Sequence, residues 1–316
     1  MRIVFMGSPG FAVSPLEYLV RGGYEVAAVY TQPDRPGGRG RALILSPVKQ
    51  AAQRLGLEII QPEKLRNAEV VAELAAYRPD AIVVAAYGQI LPQAVLEVPR
   101  LGCINIHPSL LPRHRGASPV AATILSGDEF AGVTVMLMDA GLDTGPILSR
   151  AQIPVAGFDT TGTLTEKLSL IGAMMVTEVL SHLLRGELMP HPQDNKAATY
   201  SARVAKEEGE INWYAPAQEI WRRVRAFQPW PGTYTLWRGK RLEIRAGFPL
   251  AQAVREEAGT VIDLNKITDN TPFGVVTGEG IFAAGTVQLA GKKAMSAVDF
   301  LQGQPGIIGT KLPSLE

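Results

Sequence analysis

The chain has 316 residues, 46% hydrophobic and 19% charged, with a formal net charge of +1. That length favours two domains, and the absence of a run of about eighteen apolar residues excludes an obvious membrane span. The near-neutral balance excludes any argument for nucleic acid from bulk charge, and the single Cys103 excludes an internal disulfide and suits a reducing cytoplasm.

Met1 to Gly7 reads as a first strand rather than a signal peptide, since no apolar core with a small-residue cleavage site follows. Gly7-Ser8-Pro9-Gly10 then marks a tight turn into a helix. It lacks Gly-x-Gly-x-x-Gly spacing, and Pro9 removes an N–H that a phosphate would need, so a nicotinamide cofactor is not expected. Further strands are predicted at 25–30, 57–60, 81–85 and 103–107. Ser46-Pro47 and Ser118-Pro119 look like capped helix starts, closed by Gly56 and Gly127. This alternation predicts an α/β, Rossmann-like, mostly parallel sheet with helices on both faces. Right-handed crossovers then gather the strands' carboxyl ends at one edge, where ligands bind.

A strand over 133–139 leads into a glycine-bounded loop. A long helix follows, with Leu164, Leu168, Ile171, Met175, Val179 and Leu183 as its core stripe. The stretch Pro190-His191-Pro192-Gln193-Asp194-Asn195 lacks periodicity and reads as a linker. Beyond it a helix at 217–227 precedes short runs at 232–237, 241–246, 259–263, 273–277, 280–284 and 286–290. Such spacing predicts a small barrel or sandwich. The expected division is therefore a domain over 1–189, a linker over 190–205 and a β-barrel domain over 206–316.

The chemistry concentrates at Asn105-Ile106-His107. Two residues apart on a strand, Asn105 and His107 project to the same face. Pro108 then stops the ladder. With Asp143 in Gly141-Leu142-Asp143-Thr144-Gly145, an amide donor, an imidazole and a carboxylate become available. Acyl transfer to an amine needs such groups: donors for a developing oxyanion and an acid–base pair for the nucleophile's proton. Cys103, two residues upstream, reads as a strand packing residue. His114, His182 and His191 show no ligand spacing, so no metal is expected. No Gly-x-Ser-x-Gly elbow supports a serine nucleophile at Ser109.

Asn105 through Pro112 (Asn-Ile-His-Pro-Ser-Leu-Leu-Pro), followed by Arg115-Gly116 and the Asp143 loop, resembles the folate-dependent formyltransferases. The resemblance implies 10-formyltetrahydrofolate as donor, Asn105, His107 and Asp143 as the catalytic trio, and a folate-bordering turn at Ser109, Leu110, Leu111 and Pro112. A carboxylate at Asp143 beside His107 is expected to raise the His107 pKa and favour an imidazolium. Thr31 to Arg41, with Arg35, Arg39 and Arg41 among glycines, is similar to a loop of the members that act on initiator methionyl-tRNA. Pro229-Trp230-Pro231-Gly232 is similar to the start of their OB-like C-terminal barrel. The loop and the Arg222, Arg223, Arg225 and 238–245 basic groups are then the expected tRNA contacts, through backbone rather than sequence. The two-domain relatives imply a monomer without a membrane partner. The small-amine members of the family, and an RNA-binding protein on an inactive scaffold, are the alternatives.

Overall fold

Runs such as Ile3-Val4-Phe5-Met6 and Ile82-Val83-Val84 are apolar at every position, and only a sheet covered on both faces buries them completely. The structure, a computed structural model, describes residues 1–37, 42–265, 267 and 271–314. Its first eleven strands are β1 (Arg2–Gly7), β2 (Glu25–Tyr30), β3 (Arg35–Gly37), β4 (Ala42–Ile44), β5 (Ile59–Ile60), β6 (Ala81–Ala85), β7 (Cys103–His107), β8 (Arg115–Gly116), β9 (Phe130–Leu137), β10 (Ile147–Pro154) and β11 (Tyr200–Ser201). Seven of them form one sheet in the order β10-β9-β7-β6-β1-β2-β5. The five from β7 to β5 run parallel, as the sequence predicts, and β9 and β10 add an antiparallel edge. From β1 the order first grows outward through β2 and β5, then reverses to β6 and β7. A ligand crevice belongs at such a reversal, beyond the strands' carboxyl ends.

The helices are α1 (Val13–Arg21), α2 (Pro47–Arg54), α3 (Ala68–Ala76), α4 (Gln93–Leu96), α5 (Pro119–Ser126) and α6 (Thr161–Leu184). Ser46 caps α2 as predicted, its Oγ accepting the Lys49 N–H at 3.0 Å. α6 buries Leu164, Leu168, Met175 and Val179, while Ile171 and Leu183 are half-buried. By length and apolar content alone α6 would suffice to cross a bilayer. Its buried face instead packs on the sheet so closely that a Cβ added at Gly172 would lie 2.6 Å from Ile106.

The described residues divide into two compact units. The first comprises Met1–Pro119, Phe130–Pro154 and Leu164–Ala202, and the second Val120–Glu129, Val155–Thr163 and Arg203–Glu316. In the second unit α7 (Ala217–Ala226) precedes β12 (Thr233–Trp237), β13 (Lys240–Leu250), β14 (Val261–Asp263), β15 (Phe273–Val276), β16 (Ile281–Leu289), β17 (Met295–Ser296) and α8 (Ala297–Gly303). The strands pair antiparallel as β12-β13-β16-β15-β14, with β17 also on β16. Register shifts around Ala246 bend the long β13–β16 ribbon, curling the sheet into a half-barrel. The predicted runs at 280–284 and 286–290 are one strand, continuous through Gly285. Trp213, Trp237, Phe273, Phe282 and Phe300 fill the concave side, with the Trp237 and Phe300 rings edge-on at 5.8 Å.

Truncating the α6 stripe separates buried from exposed positions. Leu168→Ala is expected to cost about 2–5 kcal/mol, read as a lower urea midpoint. Leu170→Ala, on the exposed face of the same helix, is expected to change stability by less than about 0.5 kcal/mol.

Candidate active site

The alternation of β7 places Asn105 and His107 on one face, 8% and 4% exposed. Ile104 and Ile106 fill the core on the other. Beyond the ends of β6 and β7 opens a cleft of about 560 Å³, within the range of small-molecule sites. Its walls are the 86–91 segment after β6, the end of β7, and the 138–143 segment after β9. Most of the lining is apolar, including Tyr87, Ile90, Leu91, Met136, Met138 and Leu142, and its polar side chains are Gln89, Asp139 and the clustered Asn105, His107 and Asp143.

Asp143 arrives on a tightly built loop. Asp139 Oδ1 accepts the Gly141 N–H at 3.0 Å and the Thr144 hydroxyl at 2.6 Å. Gly145 passes so near β9 that an added Cβ would sit 1.9 Å from the Leu137 carbonyl, so only glycine fits. Asp143 itself takes φ +52°, a left-handed conformation that non-glycine residues adopt at a cost. Its carboxylate is gripped in return. Oδ2 accepts the Gly116 N–H at 2.8 Å and lies 3.6 Å from His107 Nδ1, while Oδ1 faces Asn105 Nδ2 at 3.4 Å. The three predicted residues therefore meet.

The charge state of His107 departs from the sequence expectation. Burial away from water is the dominant influence and lowers its pKa. Asp143 pulls in the opposite direction, as expected, and so does the carbonyl of His114, but neither overcomes desolvation. His107 Nε2 lies 3.1 Å from that carbonyl, which can only accept, so the proton of the neutral ring belongs on Nε2. Nδ1 is then the unprotonated nitrogen facing Asp143. The resting pair is an imidazole beside a carboxylate rather than an imidazolium.

The Ser109–Pro112 turn follows directly on the end of β7 beside the cleft. Pro108 reaches the cleft, but Ser109, Leu110, Leu111 and Pro112 do not line it. Ser109 and Leu111 are fully buried, and the Ser109 hydroxyl donates to the Arg113 carbonyl at 2.6 Å. Thr134 Oγ1 stitches the turn to β9, donating to the Ser109 carbonyl and accepting the Leu111 N–H. These residues hold the segment after His107 in shape, and the cleft wall is made by 86–91 instead.

Ser8, at the turn after β1, donates to the Tyr87 carbonyl at 3.2 Å and accepts the Gln32 N–H at 3.1 Å. It thus ties the cleft wall to the base of the arginine loop. Asp34, beside the ammonium of Lys49 and the amide of Gln61, anchors that base, and those hydrogen bonds hold its carboxyl below the usual range. Arg35 is exposed on β3. Arg39 and Arg41 lie outside the described residues.

In the second unit Arg222 and Arg223 are half-buried on α7. The Arg222 guanidinium crowds Gly127, and Arg223 donates to the Glu208 carbonyl at 2.6 Å and covers the Phe227 ring. Arg225 is a correction: it is buried, stacked 3.7 Å over Trp221 and directed at the carbonyls of Ala156 and Asp159. A buried guanidinium in such contacts is structural.

The segment read as linker carries site contacts that its sequence did not announce. Its Gln193 donates to the carbonyls of Asp143 at 2.9 Å and Gly145 at 2.7 Å. His191 bridges to Ile147, and β11 pairs with β8 beside Gly116. Aperiodic polar sequence gives no local signal for such pairing, because each bond is to a distant backbone.

A formyl transferase model matches residues 1–180, and a formyl transferase C-terminal domain model matches 203–305. A methionyl-tRNA formyltransferase from Dehalococcoides mccartyi is 50% identical over 314 residues, 99% of this chain and 98% of its own. One from a Roseiflexus species is 50% identical over 305 residues, 96% of this chain and 92% of its own. Among solved structures, HypX from Aquifex aeolicus in complex with tetrahydrofolic acid matches at TM-score 0.65 and 18% identity, over 98% of this chain and 48% of that one. The sugar 3N-formyl transferase WlaRD matches at TM-score 0.65 and 18% identity, over 93% of this chain and 99% of its own. Fold and cleft are those of an α/β group-transfer enzyme. The chain belongs to the formyl transferase family.

The state of His107 is open to direct measurement. Its ring signals in NMR are expected to titrate below the ordinary value of about 6.5, because burial favours the neutral form. Asp143→Asn removes the larger of the two influences that raise the value, so the midpoint is expected to fall further. A rise in that variant would refute the balance described.

Proposed function

We propose that the chain transfers the formyl group of 10-formyltetrahydrofolate to the α-amine of methionine esterified to initiator tRNA, in the cytoplasm and as a monomer. The observation that carries the reading is the meeting of Asn105, His107 and Asp143 at the mouth of a largely apolar cleft. The comparisons support the choice of acceptor, since relatives sharing about half the residues along the whole chain bear that name.

The cleft suits a folate donor. Apolar side chains from both walls, Ile90 and Leu142 among them, offer faces to a flat heterocycle, and backbone after β6 offers polar edges. The bound donor would supply an activated formyl carbon attached to nitrogen. Asn105 Nδ2 is placed to donate to an oxygen on which negative charge grows. The Asp143–His107 pair handles the proton. With Nδ1 unprotonated and a carboxylate beside it, His107 can accept the proton that the attacking amine loses and return it, directly or through water, to the folate nitrogen as the bond between that nitrogen and the formyl carbon breaks. The resulting imidazolium is stabilised by Asp143, which the Gly116 N–H holds in place. A neutral resting ring is thus a better base than the imidazolium that the sequence suggested.

Recognition of the tRNA is assigned to Arg35, Arg39 and Arg41 with exposed basic side chains of the 206–316 domain. Arg222 and Arg223 contribute through whatever part of each guanidinium stays accessible. Such contacts grip the phosphate backbone and depend on salt.

The decisive assay is transfer of labelled formyl from the folate donor to charged initiator tRNA, with elongator methionyl-tRNA and an amino-sugar nucleotide as controls. Transfer to the sugar alone, or release of formate without acceptor, would overturn the reading. Asn105→Ala is expected to lower turnover on the order of a hundredfold with the fold intact by circular dichroism. Arg39→Ala is expected to raise KM for the tRNA and leave folate affinity unchanged.

A further inference from the structure

Gln193 and Arg115 lie away from the cleft lining, yet both are built against the Asp143 loop. Arg115, at 1% exposure, is among the largest fully buried side chains. Its guanidinium meets neutral amide oxygens: Nε and Nη2 donate to Gln193 Oε1 at 3.2 and 2.8 Å, and Nη2 also donates to Asn195 Oδ1 at 2.8 Å. Arginine only donates, so these bonds fix which way the Gln193 amide points. Its NH2 group is left facing the loop, where both hydrogens are used on the carbonyls of Asp143 and Gly145. Meanwhile the residue following Arg115 supplies the Gly116 N–H to the Asp143 carboxylate. One buried cation therefore anchors the side-chain grip and the backbone grip on the same left-handed residue.

We propose that Gln193 is a positioning residue for formyl transfer, acting through Asp143 by way of a buried Arg115–Gln193–loop clamp. The inference rests on the role of Asp143 assigned under the proposed function. A left-handed aspartate at the end of a short loop has an easy alternative, which is to relax and swing its carboxylate away from His107. The two Gln193 hydrogen bonds hold the backbone on either side of Thr144 and oppose that swing. The orienting charge of Arg115 polarises the Gln193 amide and strengthens both bonds. Displacements of about an ångström in such constellations cost on the order of a hundredfold in rate.

Gln193→Glu keeps the size of the side chain and an acceptor for Arg115 but removes both donors to the loop. Its melting temperature is expected to fall by a few degrees, because two loop carbonyls lose their donor, while kcat falls about ten- to a hundredfold and KM for the folate changes less than about threefold. In Gln193→Leu, which adds no charge, the His107 NMR midpoint is expected to move downward, toward that of Asp143→Asn. In the double variant Gln193→Glu/Asp143→Asn the loss is expected to match that of Asp143→Asn alone, because both act on one group. Gln193→Leu provides the second arm, with the same kinetic pattern where it folds. Wild-type kcat in Gln193→Glu would overturn the proposal, and so would losses that multiply in the double variant or a His107 midpoint that stays put in Gln193→Leu. Absence of formyl transfer by the wild-type chain would instead overturn the function on which the clamp rests.

Discussion

Everything at the site depends on one bond, the Gly116 N–H donated to the Asp143 carboxylate at 2.8 Å. Asp143 sits in a backbone conformation that costs free energy, in a loop whose glycine at 145 lets it run against β9. Without a fixed partner its carboxylate would turn to solvent. With that partner it faces the one buried imidazole at the end of the parallel strands, and the cleft acquires an acid–base pair. The bond in turn requires β8 to be in register beside the 199–201 segment, where Arg115 donates its N–H to the Thr199 carbonyl and Ala117 to that of Ser201. Chain far from the site in sequence is thus part of its wall.

The same burial that gathers the three residues sets their protonation. A histidine this enclosed loses more from desolvation than a neighbouring carboxylate restores, so it rests neutral. That inverts the usual intuition for a His–Asp pair and suits an amine nucleophile, which must shed a proton. In the proposed reaction the carboxylate's contribution comes later, when the ring has become charged. Desolvation and ion pairing would then act at different stages of the proposed proton transfer.

Much of this was legible in the chain. The positions of Asn105 and His107 on one face follow from strand alternation, and the stop at Pro108 follows from its missing N–H. The parallel strands were readable because their apolar runs are short and bounded by turn residues. Other features were not legible, for physical reasons. The sign of the His107 shift depends on how much chain covers it, which no local pattern encodes. Ser109–Pro112 reads as a ligand turn by resemblance, yet Ser109 and Leu111 are buried by contacts with β9. Gln193 sits in a stretch without periodicity, and its partners are carbonyls some fifty residues away. Arg225 looks like its exposed neighbours until Trp221 is seen beneath it.

The proposed reaction requires that the cleft between the 86–91 and 138–143 segments present the donor's carbonyl to Asn105 and to the His107–Asp143 pair. A crystal structure with a stable formyl-folate analogue tests this most directly. The pterin is expected between those walls, with the formyl oxygen within hydrogen-bonding reach of Asn105 Nδ2 and Asp143 still held by Gly116. A folate bound elsewhere, or an Asp143 carboxylate turned away from His107 in the complex, would contradict it.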